Sequence, residues 1–254
     1  MSHLHPEKLK PMVTHRIPAA RATARRPTSR HVVDRLAAVP RRRLVLVLAT
    51  LILLVLVLGY VSLRTGRIGE LWGIDSDLRL RWPPWDSRVN FPALISSGIL
   101  GCAGLAWWRV GSSSDTRALR LGARGVGVFL GFMAINETVM IHERLAESLQ
   151  MDWQLIYAPL FLAAGLLALT MLTQLRRRGH SAPAWLFVLG GACWVAAQTL
   201  EQLQFGPGHV RVDGYWVYVF VEETLENIGS SLLLLGGLSA VIRARAKPVA
   251  GQAH

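Results

Sequence analysis

A chain of 254 residues that is 52% hydrophobic, with a mean hydropathy of +0.34, is too apolar for an ordinary water-soluble domain and points to an integral membrane protein. The formal net charge of +12 is concentrated at one end: the first 43 residues hold eleven Lys or Arg against Glu7 and Asp34, and the rest holds 17 basic and 14 acidic residues. That excess describes a tail and not a nucleic-acid surface, so no nucleic-acid partner is expected, and two isolated cysteines, Cys102 and Cys193, exclude a disulfide framework or a thiolate zinc site.

Residues 1–43 are rich in Arg, Pro, Ala and Thr, lack apolar periodicity, and read as a disordered basic cytoplasmic tail. The run LVLVLATLILLVLVLGYVSL (44–63) supplies the roughly twenty uncharged residues that a spanning helix needs. No small-residue cleavage site follows it, so it is a retained membrane helix and not a signal peptide. The segment 64–89 combines Trp72, Trp82 and Trp85 with alternating charge and the pair Pro83–Pro84, the pattern of a loop lying along the bilayer surface.

Five more spans are predicted at 90–108, 122–143, 155–175, 184–203 and 217–242, giving a membrane domain over 44–245 and a cytoplasmic tail at 246–254. Arg109, Arg117, Arg120, Arg124, the RRRGH run (176–180) and Arg243, Arg245 and Lys247 all fall on the side of the basic tail. The positive-inside rule then puts both termini in the cytoplasm. The expectation is an all-α, six-helix, multi-pass bundle in the plasma or inner membrane. Ser97, Gly101 and Gly104 in the second span would let another helix approach closely.

Three spans carry groups that prefer water, all towards the extracytoplasmic end. The third supplies Asn136, Glu137, His142 and Glu143, the fifth Gln198, Glu201 and Gln202, and the sixth Glu222, Glu223, Glu226, Asn227 and Ser230. The first, second and fourth spans offer nothing comparable. At about 100° per residue, Glu222, Glu223, Glu226, Asn227 and Ser230 share an arc of about 140° on the sixth helix. Thirteen Leu, Ile, Val or Phe residues in that helix favour insertion by about 6 kcal/mol, whereas three central carboxylates would cost about 8 to 10 kcal/mol. The acids are therefore tolerable only inside a bundle, balanced by a cation or by protons.

Carboxylates and a histidine from several helices resemble, in their chemistry, the sites of di-iron and di-manganese bundle proteins. On that analogy Glu137, His142, Glu143, Glu201, Glu222 and Glu226 are candidate ligands for a divalent metal (Fe, Mn or Zn). Asn136, Gln198, Glu223 and Asn227 would orient them. The pattern departs from that class, because Glu137 and His142 stand five apart with no Glu-x-x-His. A metal site, with or without enzymatic activity, is the first expectation. A proton- or cation-coupled transporter or channel is the second, and an accessory subunit or homo-oligomer pairing its acids with a partner is the third. No G-x-S-x-G, Walker loop, dinucleotide fingerprint or H-E-x-x-H occurs.

Overall fold

The computed structural model describes residues 28–65, 91–139, 141–204 and 213–246. Regular structure among them is helical throughout: α1 (Thr28–Ala38), α2 (Arg41–Thr65), α3 (Phe91–Ser112), α4 (Arg117–Val139), α5 (Ile141–Leu149), α6 (Trp153–Arg177), α7 (Ser181–Leu203) and α8 (Tyr215–Ala246). Six of them, α2, α3, α4, α6, α7 and α8, are long and apolar enough to cross a bilayer. The interfacial loop expected at 64–89 and the tail at 246–254 fall almost wholly outside the described residues.

Helices α3, α4 and α8 form the buried centre, and glycines set how closely they pack. A Cβ added at Gly104 would lie 2.8 Å from the Gly127 carbonyl oxygen, and one at Gly127 would lie 2.7 Å from both the Gly104 oxygen and the Trp108 nitrogen. Backbone therefore meets backbone between α3 and α4, the small-residue packing expected where water cannot drive association. Of the three small residues singled out in the second span, Gly104 makes this approach, Gly101 makes an ordinary contact 3.7 Å from the Ala134 methyl, and Ser97 is buried. Gly190 and Gly229 repeat the device between α7 and α8. Trp107, fully buried in α3, donates its indole N–H to the Leu233 carbonyl of α8 at 3.0 Å, joining the two pairs.

The resulting order is α4–α3–α8–α7, with α6 leaning on α4 and α2 on the outside of α8. Although only three residues separate α6 from α7, the two helices scarcely touch. The row curls into a ring that is open between them.

Two elements run differently from the sequence reading. Within the stretch read as a tail, α1 forms from Thr28, packs Val33 into the core against α3 and α8, and sets Asp34 3.7 Å from Arg109. α2 also starts at Arg41, inside the supposed tail. Val33 supplies the buried anchor, with Leu36 and Ala37 packed beside it, while Val32 is exposed. The third span does not continue to 143 either: α4 ends at Val139 and a separate helix begins at Ile141.

Candidate functional site: a polar layer and a lateral cleft

The break between α4 and α5 is held by Asn136, which is fully buried. Its Oδ1 accepts the His142 backbone N–H at 3.1 Å and the Tyr157 hydroxyl at 3.1 Å, and its Nδ2 stands 2.8 Å from His142 Nδ1. A backbone N–H can only donate, so the atom facing it must be the amide oxygen, and the atom facing the ring must be the NH2 group. His142 Nδ1 is then an acceptor, and the neutral ring carries its proton on Nε2. Burial pushes this imidazole down to about 4, and the ring lies 4.8 Å from the Trp153 ring centroid. Metal-bound histidines usually donate their second N–H to a partner. Here the second nitrogen receives one.

On the facing helices, Trp153 of α6 donates its indole N–H to Glu201 Oε1 of α7 at 3.1 Å. Gln198 of α7 donates from Nε2 to Glu226 Oε1 of α8 at 3.4 Å, and Gln204 donates to Glu222. Glu226, Glu223 and Asn227 are buried, at 4%, 7% and 0% exposure, and Glu222 is half-buried. Glu226 stands within electrostatic range of Glu137, Glu223, Glu222 and Glu201. Asn227 donates to the Pro92 carbonyl of α3 at 3.2 Å and the Glu223 carbonyl at 2.8 Å, and Ser230 meets Ser96 at 3.1 Å and the Trp194 indole N–H at 3.2 Å. One polar layer thus crosses the bundle near the end of α4.

The candidate residues on α4, α7 and α8 do share this layer, and the shared arc on α8 is the buried one. The metal reading finds no support. Among the described residues, no three His, Cys, Asp or Glu side chains come together as a group that could hold a metal ion. Of the six proposed ligands, His142 is engaged by Asn136 and Trp153, Glu201 by Trp153, Glu222 by Gln204 and Glu226 by Gln198. Glu137 is half-buried within range of Glu226, and the Glu143 side chain lies outside the described residues. Asn136 bonds both His142 and Tyr157 at the start of α5.

The second and fourth spans, which carry no comparable charged groups, still contribute to the layer. α3 gives Ser96 and the Pro92 carbonyl, and α6 gives Trp153, Gln154 and Tyr157. Trp153 and Tyr157, four apart and followed by Phe161, form an aromatic stripe at helical spacing, and that is the signal that could have found them.

The opening between α6 and α7 is a cleft of about 730 Å³. Its walls are apolar, including Phe129, Phe161, Phe187 and Trp194, with Leu100 and Leu233 at the floor. Gln154, Gln198 and Gln202 line it at the end nearest the polar layer. That end is tied shut: Gln154 donates to the Gln198 carbonyl at 3.2 Å and Gln202 to Asp152 Oδ1 at 3.3 Å. Gln198 Oε1 is buried with no hydrogen-bond partner among the described residues, an arrangement that a bound donor would relieve.

No curated protein and no solved structure matches the chain. A family model described as "Domain of unknown function (DUF8692)" matches residues 44–241, which takes in all six long helices and both the layer and the cleft, and the chain belongs to that family.

Proposed function

We propose that this multi-pass membrane protein binds a membrane-borne amphiphile, with the apolar chain in the cleft between α6 and α7 and a cationic or hydrogen-bond-donating head at Gln198 and Glu226. The observation that carries this reading is Gln198. Its Nε2 belongs to the acidic layer through Glu226, while its side chain lines the cleft with an unsatisfied oxygen. A chain entering sideways from the bilayer would replace lipid with protein contacts at little cost, and its head would satisfy Oε1. The volume lies within the usual range of small-molecule sites, about 300–1,000 Å³.

The chemistry of the layer supports a donor or cation as head. Carboxylates of α4, α7 and α8 face one another in the bundle, and such groups persist in a membrane when protons or a cation balance them. An ammonium head supplies that balance directly, and a hydroxyl head supplies a hydrogen-bond donor to acids that hold their own protons. The clustering of arginines at the opposite ends of the helices supports placing the layer on the extracytoplasmic side.

Photo-crosslinking in liposomes tests the reading. Three probes share a diazirine-bearing dodecyl chain and differ in head: ammonium, hydroxyl or sulfonate. The ammonium and hydroxyl probes are expected to label peptides of α6 and α7, and the sulfonate probe about tenfold less, as repulsion by one or two carboxylates implies. Glu226→Gln should narrow the gap between the ammonium and sulfonate probes. Equal labelling by all three heads would overturn the assignment of the polar end.

A further inference from the structure

The opposite end of the bundle carries a second feature that the amphiphile cleft does not use. α4 opens with Arg117, Arg120 and Arg124 and has no acidic residue in its first turn. The helix dipole disfavours cations in the first turn, where Arg117 and Arg120 stand. α6 shows the opposite choice, with Arg176 and Arg177 in its last turn, where the dipole welcomes them. Guiding topology requires only positive charge on this side. It does not require three guanidinium groups on one face around a cavity.

That cavity, of about 540 Å³, is lined by the three arginines, by Leu121, Gly125 and Val128 of α4, by Trp108 of α3, and by Asp115, the one carboxylate in its wall among the described residues. The Arg124 guanidinium lies 5.3 Å from the Trp108 ring centroid, and its Nε is buried with no hydrogen-bond partner among the described residues. Arg120 donates from Nε and from a terminal nitrogen to the Ser114 carbonyl at 3.3 and 3.1 Å, which fixes its plane and leaves its remaining donors for another group. No described carboxylate pairs with any of the three. Along α4, Arg117, Leu121, Arg124 and Val128 fall within an arc of about 60°, so an apolar strip continues from the basic end into the bilayer. Leu121, Val128 and Trp108 are exposed on it, at 61%, 58% and 44%.

We propose that this face of α4, with Trp108, binds the phosphate of an anionic phospholipid in the leaflet opposite the acidic layer, the acyl chain lying along Leu121, Gly125 and Val128. Guanidinium forks match phosphate oxygens in pairs. The about 30 Å of helix rise between Arg117 and Glu137 puts the two sites at opposite faces of the membrane. A phosphate at this helix start would also turn the dipole from a penalty into a contribution.

Native mass spectrometry of the full chain in detergent tests the proposal, with phosphatidylglycerol, phosphatidylcholine and inorganic phosphate as probes. Phosphatidylglycerol adducts are expected to form at concentrations about tenfold or more below those needed for phosphatidylcholine. The same excess of inorganic phosphate should leave the adducts in place, because it lacks the chain. The Arg120→Gln/Arg124→Gln double variant should lose the selectivity, Arg120→Lys/Arg124→Lys should lose most of it because lysine has no fork, and Arg176→Gln/Arg177→Gln should keep it. Equal retention of the two lipids by the wild-type chain, a measurement that needs no variant, would overturn the proposal. So would displacement by inorganic phosphate, which would mark a free-anion site, or an equal loss in the α6 control, which would mark unspecific charge.

Discussion

Asn136→Asp changes almost no volume and inverts one hydrogen-bonding atom, so it isolates the protonation logic of the α4–α5 break. In the wild-type chain the oxygen of Asn136 serves the His142 backbone N–H and the Tyr157 hydroxyl, and an aspartate retains both bonds. The second aspartate oxygen then stands where Nδ2 donated to His142 Nδ1 at 2.8 Å, lone pair against lone pair, unless the ring moves a proton to Nδ1 or gains one. A neighbouring carboxylate typically favours the charged partner by about 1–3 pH units, so the His142 ring should rise from about 4 to between roughly 5 and 7. The sign of the stability effect follows. The folded-state value lies below the unfolded value of 6.5, so the unfolded chain holds more protons between them. Stability is complete above pH 6.5 and falls as pH drops towards 4, by a total on the order of 3 kcal/mol. In Asn136→Asp that slope shrinks or disappears. Long-range nitrogen–proton NMR of the imidazoles in micelles, with His142→Gln to assign the signal, reads the tautomer and the titration directly. A wild-type His142 that carries its proton on Nδ1, or that titrates near 6.5, would refute the assignment and return the ring to the pool of metal ligands.

Other outcomes follow from the same contacts. Gly127→Ala puts a methyl 2.7 Å from two backbone atoms of α3, and the α3–α4 pair should lose about 1–3 kcal/mol in detergent melts. Trp107→Phe removes the donor to the Leu233 carbonyl and should cost about 1 kcal/mol beyond the lost ring area, read by the same melts. Asp34→Ala breaks a part-exposed ion pair with Arg109 and should shift stability by no more than about 0.5 kcal/mol; a larger loss would mean that α1 is held chiefly by charge and not by Val33.

The six helices long and apolar enough to cross a membrane were legible because each is a long apolar run, and the buried face of α8 was legible because Glu223, Glu226, Asn227 and Ser230 recur at helical spacing. What each polar group touches was not. His142 looked like a ligand because histidine among acids usually is one, and only the fold brings Asn136 and Tyr157 to its turn with fixed donor and acceptor roles. Trp153 and Tyr157 went unnoticed for the opposite reason: aromatic residues near a helix end read as interface anchors, and their polar atoms gain meaning only from Glu201 and Asn136 across the bundle. The cleft is a property of two neighbours failing to pack. No residue of α6 or α7 announces it, because lipid-facing and cleft-facing leucines and glycines have the same chemistry.

Gly191→Leu tests the central claim most directly. Gly191 lines the cleft, and a Cβ built on it meets nothing within 4 Å, so the larger side chain enters empty space and not backbone. Labelling of α6 and α7 by the ammonium-headed probe should fall about tenfold or more, equivalent to about 1.4 kcal/mol, with the melting temperature unchanged or higher. Unchanged labelling in a variant that melts like the wild type would contradict an amphiphile bound between α6 and α7.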